Sequence, residues 1–539
     1  MKYSLPGVPS TLSRGTRSVA MGRLGMIATS QPLASAAGLD VLSHGGNAID
    51  AAVAAAGVLA VVEPTMTGIG GDLFAIVHNA ATGLTRGLNA SGRSPSRATL
   101  DQLQAQGHTS LPEHGILAVT VPGAVDGWSQ LLNEHGTISL EQALVPAINH
   151  ARNGFPVSEV VARQWENEVQ KLAEDPTTAA VWLPQGLPPE PGTIFRCPAL
   201  ATSLEIIATD GSNAFYRGKI AEEIARDAYR RGGWLSSSDL ADHQSEWVEP
   251  IRTTYKDVEL LELPPNTQGF VALEALNILR NDDLIKLGHN SPDYLHLVME
   301  ALAVAFADRD AHLADSAFVP DETLQQLISL DYSRARRDDI GHKHTAKSPL
   351  AHFNFPRGTG DTVYLAAADA EGNLISLIQS LYAGFGAGIV AGDTGIILHN
   401  RGSLFSADPS HPNHLAPHKR PLHTLAPAMA FRQGRPWLAF GVMGGDMQPQ
   451  GHLQVLLNLL CFKMNLQEAG DSPRARYDPQ GIALEAGITQ TTAATLESRG
   501  HRIVEGLGFG GFQAVMIDPE SRVLLGASDS RKDGLAIGC

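Results

Sequence analysis

Two short stretches carry residue types suited to acyl chemistry. In GDTVYLAAADAEGN (360–373), Thr362 stands between a polar run and an apolar one. In GVMGGDMQPQG (441–451), Gly444 and Gly445 form a pair. A threonine hydroxyl is a weak nucleophile until a base takes its proton. If the chain were cut before Thr362, the freed α-amine, with a pKa of about 7.7–8.0, would be that base near neutral pH. A glycine pair lets backbone N–H groups come close to a developing oxyanion. Each feature also has a plain structural reading, a β-branched residue opening a strand and a tight turn.

The elements around Thr362 decide what it can meet. TVYLAAAD and LISLIQSLY are almost continuously apolar, as strands covered on both faces should be. Glu371, Gly372 and Asn373 supply turn chemistry between them. This predicts an antiparallel hairpin in the middle of a layered sandwich. With a five-residue loop (369–373), Ala368 faces Leu374 and Thr362 faces Ser380. A hydroxyl there, on a strand about 4.8 Å away, could support that of Thr362. A four-residue loop would put Leu381 opposite instead. Before the hairpin, from about residue 332, YSRARRDDIGHKHTAKSPLAHFNFPRGTGD is basic, His-rich and broken by Pro and Gly. It has no helical or strand period and reads as an exposed connector, a place where a chain could be cut.

Upstream, GGNAIDAAVAAAGVLAVVEP (45–64) has helix punctuation: Asn47 to cap, Asp50 near the positive end, Pro64 to stop. Its Ala-rich body is apolar nearly all round, which predicts a buried helix. TGIGGDLFAIVHNAATG follows as a glycine turn, a strand and a second turn. Residues 140–330 read as mostly helical and show no chemical signature. After 430, short strands alternate with helices: PWLAFGVM as a strand, a helix around HLQVLLNLLCF, a helix at TQTTAATLESRG, then strands HRIVEG and FQAVMIDP.

Composition bounds the function class. At 539 residues the chain is too long for one small core. Its formal net charge of −16 disfavours phosphate backbones, so nucleic acid is not an expected partner. Cys197, Cys461 and Cys539 are scattered, with neither a disulfide framework nor zinc spacing. The longest apolar run is shorter than a membrane span, and the N-terminus lacks an apolar core of signal length, so a cytoplasmic protein is expected. GLGFGG (506–511) matches G-x-G-x-x-G, but a strand rather than a helix follows, so the phosphate-cradle logic fails. His411, His414, His418 and His423 are separated by Pro412, Pro417 and Pro421 and share no helical face. No metal and no cofactor are expected.

With those residues in view, the chain resembles the γ-glutamyltransferase family of N-terminal nucleophile hydrolases. The resemblance runs through GGNAIDAAVAAAGVLAVVEP, GIGGD (68–72), AVTVPGAVDGW (118–128), the Thr362 segment, GFGAGIVAGDTGIILHN (384–400), KRPLHTLAPAM (419–429), the Gly444 segment and DSRKDGLA (529–536). It implies an α+β four-layer αββα sandwich. It also implies a proenzyme that cuts itself between Asp361 and Thr362. The large subunit, 1–361, and the small subunit, 362–539, would stay intertwined in one compact unit, with pairing of such units left open. Thr362 would be the nucleophile in cleavage and in catalysis, giving an acyl-enzyme from a small-molecule amide. Water would complete hydrolysis, and an amine acceptor would complete transfer. Gly444 and Gly445 would form the oxyanion hole, Ser380 would support the nucleophile, and Thr424 would line the site.

The substrate clamp departs from the family pattern. Where the family's arginine grips an α-carboxylate, this chain has Ser91, with Arg93 two places later. Tyr382 replaces an asparagine, Ser403 and Leu404 replace an acidic pair, and His423 replaces the first serine of a Ser-Ser pair. Each charged hydrogen bond lost is worth about 1.5–3 kcal/mol, roughly ten- to a hundredfold in affinity. Hydrolysis or transfer of a γ-glutamyl group therefore competes with hydrolysis of a glutaryl-type or oxamate-type amide. Arg93 and Arg401 are candidate anion anchors. Asp446 either positions substrate or ties down its loop. An inactive binding homologue is a third reading, and the retained Thr362, Ser380, Gly444 and Gly445 argue against it.

Overall fold

The computed structural model describes residues 17–341, 345, 361–506 and 508–539. The two apolar runs form strands Asp361–Asp369 and Leu374–Tyr382, paired antiparallel. Alternation explains why they read as continuous apolar runs. Val363, Leu365 and Ala367 pack into a core with helix Ala48–Val62. Tyr364, Ala366 and Ala368 pack instead against Met429, Ala439 and Val515 of a second sheet. Both faces are covered, one by helices and one by strands.

The first sheet runs Leu535–Gly538, Gly25–Thr29, Asp361–Asp369, Leu374–Tyr382, Asp72–Asn79, Leu84–Ala90, Glu246–Val248. The second runs Ala20–Gly22, Leu524–Ser528, Gly511–Ile517, Arg435–Met443, Ala428–Arg432, Val258–Glu262, Ile251–Tyr255. Helices Phe270–Ile278, Pro292–His312 and Met447–Leu460 cover the outer face of the second sheet. This is the expected α+β four-layer αββα sandwich. Each sheet takes strands from both sides of the 361/362 bond.

Helix Ala48–Val62 is punctuated as expected. The Asn47 side chain accepts from the amides of Ile49 and Asp50, and Asp50 accepts from the Asn47 amide at 2.9 Å. Every residue of the helix is buried, which its Ala-rich, all-round apolar composition permits.

Two expectations need correction. The connector does not begin as irregular chain at 332. Residues Leu330–Asp339 are a helix capped by Ser329, in which Tyr332 and Arg336 both bind Asp308. The charged composition of this stretch hid its period. Residues 342–344 and 346–360 of the connector lie outside the described residues. The mostly helical middle also contains five short strands, of which 246–248, 251–255 and 258–262 build one edge of each large sheet.

Candidate active site

The five-residue loop fixes the hairpin register, from Ala368 opposite Leu374 to Val363 opposite Gln379. The register then slips, and Asp361 pairs with Tyr382. Thr362 is left facing a β-bulge formed by Ser380 and Leu381. Bulges often re-aim side chains beside functional sites. Thr362 Oγ1 donates to Ser380 Oγ at 3.3 Å, and Ser380 Oγ also accepts from the Tyr382 amide at 2.7 Å. The alternation that points Tyr364 between the sheets points Thr362 the same way.

The glycine pair arrives from the facing sheet. Strand Arg435–Met443 ends at Gly444 and Gly445, and helix Met447–Leu460 begins two residues later. The glycines take φ values of +114° and +58°, a region where other residues are strained. Neither amide donates a hydrogen bond within the described residues. Thr362 and Gly444 line one cavity of about 360 Å³, together with Met443, Phe509 and Gly510. Free amides at the start of a helix are suited to stabilising negative charge. The sequence reading started this helix several residues too late and so missed that the pair sits at its positive end.

Contacts distant in sequence hold the glycine loop. Gln268 Nε2 donates to the Gly445 carbonyl at 3.1 Å and to the Thr424 carbonyl at 2.9 Å. Gln268 Oε1 accepts from Arg309 Nη1 at 2.7 Å, and the same nitrogen donates to Asp446 Oδ1 at 2.6 Å. Asp446 thus ties down its loop through Arg309. Gln268 and Arg309 were missed, because both sit in the helical middle that showed no chemical pattern.

A third missed residue is Asp72, the last of GIGGD. It is fully buried and accepts from the amides of Gly92 and Gly123, from His423 Nε2 at 3.1 Å, and lies 3.3 Å from His399 Nδ1. Burial alone would raise its carboxyl pKa, but His399 and His423 outweigh burial and hold it well below the usual carboxylate range. Burial, reinforced by Arg401, pushes His423 down to about 3. His423 is therefore a neutral imidazole. Its Nδ1 accepts from the Leu425 amide, and its Nε2–H points to Asp72.

Arg401 and Tyr382 lie beside this group. The Arg401 guanidinium stacks 4.4 Å over the Tyr382 ring and donates from Nη1 to Thr424 Oγ1 at 2.9 Å. Arg93 is placed differently. Its guanidinium meets Glu246 at 2.6 Å, and Glu246 is shared with Arg420. Arg93 is thereby engaged as a structural ion pair. Ser91 donates to Asn89 Oδ1.

The histidine-rich loop is tied both to itself and to helix Pro292–His312. His411 Nε2 faces the Asp310 carbonyl, and His414 Nδ1 faces the His411 carbonyl. Elsewhere His296, Glu300 and His501 stand close enough to share an ion. There, His296 Nδ1 already meets His501 Nε2 at 2.7 Å, and His296 Nε2 meets the Gly341 carbonyl. Among the described residues, no helix is long and apolar enough to cross a membrane.

This architecture is similar to the crystal structure of cephalosporin acylase from Bacillus halodurans, with a TM-score of 0.92, 39% identity and 97% of each chain covered. Fold and site define an enzyme of the N-terminal nucleophile hydrolase class. A family model for gamma-glutamyltranspeptidase matches residues 34–539, and the chain belongs to that family. It is 40% identical to the glutathione hydrolase-like YwrD proenzyme of Bacillus subtilis (strain 168), over 96% of this chain and 99% of that one. It is 37% identical to the acylase ACY 1 proenzyme of Pseudomonas sp. (strain SE83), over 96% and 94%.

Proposed function

We propose that this protein is a self-processing amidase whose nucleophile is Thr362. One observation carries the reading. The Thr362 hydroxyl, backed by Ser380, shares a cavity with Gly444, and the amides of Gly444 and Gly445, just before a helix, are unengaged among the described residues. The word proenzyme in the names of both relatives supports self-cleavage.

In the first reaction, Thr362 Oγ attacks the carbonyl carbon of residue 361. The C–N bond breaks as its nitrogen takes the hydroxyl proton, leaving an ester on Thr362. Water hydrolyses that ester, which separates 1–361 from 362–539 and frees the α-amine of Thr362. In the second reaction, this amine takes the Oγ proton as Oγ attacks a substrate amide. The Gly444 and Gly445 amides receive the oxyanion. The substrate C–N bond then breaks and the amine leaves with the proton. Water next cleaves the acyl-Thr362 ester to the free acid, or an amine acceptor takes the acyl group. Atoms balance with water or the acceptor alone.

Denaturing mass spectrometry tests this. The purified wild-type chain should give two fragments meeting at 361/362, and Thr362→Ala a single intact chain. A wild-type chain that stays intact after long incubation, or a Thr362→Ala chain that is still cut there, would overturn the reading.

A further inference from the structure

Away from Thr362, three side chains able to ligate a metal converge from distant parts of the chain. His296 and Glu300 stand four residues apart on one face of helix Pro292–His312, and His501 follows helix Gln490–Ser498. One ligand atom can be taken from each so that all three lie within 4.8 Å of one another, and among the described residues this is the only such group. Donors around a tetrahedral zinc ion, at metal–nitrogen distances of about 2.0–2.1 Å, stand about 3.4 Å apart, so small side-chain shifts would bring the three into place.

The hydrogen bonds fix which nitrogens can ligate. A carbonyl only accepts, so His296 Nε2, 2.8 Å from the Gly341 carbonyl, carries a proton, and the neutral ring has its lone pair on Nδ1. That lone pair faces His501 Nε2 at 2.7 Å, and His501 Nδ1 lies 3.9 Å from Glu300 Oε1. In neutral rings one proton therefore sits between the two histidines. Moving it to His501 Nδ1, on the side of Glu300, turns two lone pairs toward one point, where an ion can take its place. His296 then already has the outer partner usual for a metal-bound imidazole, an N–H bonded to a backbone carbonyl. Two imidazoles and a carboxylate suit zinc and its first-row neighbours, whereas calcium and magnesium favour all-oxygen shells.

The position matters as much as the ligands. His296 and Glu300 precede the 361/362 bond and His501 follows it. The chain leaving helix Leu330–Asp339 touches the same place: Gly341 accepts from His296, and the Thr345 amide donates to the Arg499 carbonyl at 3.1 Å. Arg499 in turn donates to the Pro292 carbonyl at 3.0 Å and to Asp293 at 2.6 Å.

We infer that His296, Glu300 and His501 bind one divalent transition ion of the zinc type. The ion clasps the segment after helix Gln490–Ser498 to helix Pro292–His312, and so joins chain from the two sides of the 361/362 bond. The site is independent of the amidase reading.

Calorimetric titration of zinc into the full chain, stripped with a chelator and then freed of it, tests this. Wild type should bind one equivalent, and cobalt in its place should give the visible bands of a four-coordinate ion. Glu300→Gln and His501→Gln should each bind at least about 100-fold more weakly, since loss even of an outer partner costs about 10- to 100-fold. Thr362→Ala, which leaves the three ligands alone, should bind as wild type does. So should His414→Gln, in the histidine-rich loop. Zinc should also raise the wild-type urea midpoint increasingly with its concentration and leave the two ligand variants unmoved. Either ligand variant whose midpoint without zinc matches wild type is sufficient for the comparison. No binding by wild type, or equal binding by wild type and such a variant, overturns the site. Binding lost in His414→Gln and kept in the ligand variants would put the ion in the histidine-rich loop and overturn it too.

Discussion

Replacing Gln268 with methionine should slow the chemical step while barely touching substrate affinity. Gln268 is fully buried and does not itself line the Thr362 cavity. It links Arg309 to the Gly445 and Thr424 carbonyls through three hydrogen bonds of 2.7–3.1 Å. The bond to a charged donor is worth about 1.5–3 kcal/mol and each neutral one about 0.5–1.5 kcal/mol. Part of this survives the substitution. The Gln448 amide still reaches the Gly445 carbonyl at 3.2 Å, and Asp446 still holds Arg309. A stability loss of about 2–4 kcal/mol is expected, read from urea denaturation. Losing an oxyanion donor outright costs about 100- to 1,000-fold in kcat. A loosened Gly445 peptide should cost about tenfold, with KM changed by less than about twofold, because the ground-state amide leans little on those donors. Gln268→Glu separates the two roles. It keeps an acceptor for Arg309 but removes both donors to the carbonyls, so kcat should fall at least as far with less loss of stability. If Gln268→Met loses stability but keeps its kcat, Gln268 does not steer the oxyanion turn.

Two further outcomes follow from buried groups. Ser380→Ala strips the Tyr382 amide of its 2.7 Å acceptor and Thr362 of its hydroxyl partner. It should cost about 1–3 kcal/mol and slow self-cleavage, and fragments appearing on gels at the wild-type rate would show Ser380 to be dispensable. Burial, the largest cause, holds His423 down to about 3 and His243 down to about 4. The unfolded chain, with histidines near pKa 6.5, therefore binds more protons, so this stability is complete above about pH 6.5 and is lost as pH falls toward the folded values. At pH 5 each imidazole should cost about 2 kcal/mol, and a urea midpoint that does not drop between pH 7.5 and 5 would refute the burial of neutral imidazoles.

The hairpin and the buried helix Ala48–Val62 were legible because local patterns specify them: continuous apolar runs, turn residues and helix punctuation, whereas the loop length, five residues rather than four, needed the structure. The bulge at Thr362 was not, since pairing counted back from the loop assumes an unbroken ladder. The helix Leu330–Asp339 was hidden because its order comes from Asp308, some twenty residues upstream, and not from an apolar stripe. Spacing proposed both Arg93 and Arg401 as anion anchors. Only contacts could show that Arg93 has Glu246 and that two donors of Arg401 are unpaired among the described residues. Asp72, Gln268 and Arg309 act through partners from distant parts of the chain, which no local pattern reveals.

Strands from before and after the 361/362 bond share both sheets. Cutting that bond would change the number of chains without creating an interface that can open. The two pieces could part only by breaking sheet ladders and the core between them, a step with the cost of unfolding and not of dissociation. Activity of the cut protein should therefore be independent of its concentration. Pieces separated in denaturant would face a bimolecular search that the single chain never had to make. An uncut precursor would thus do more than withhold the α-amine of Thr362. It would give both halves one chance to fold as a single molecule before the covalent link is given up.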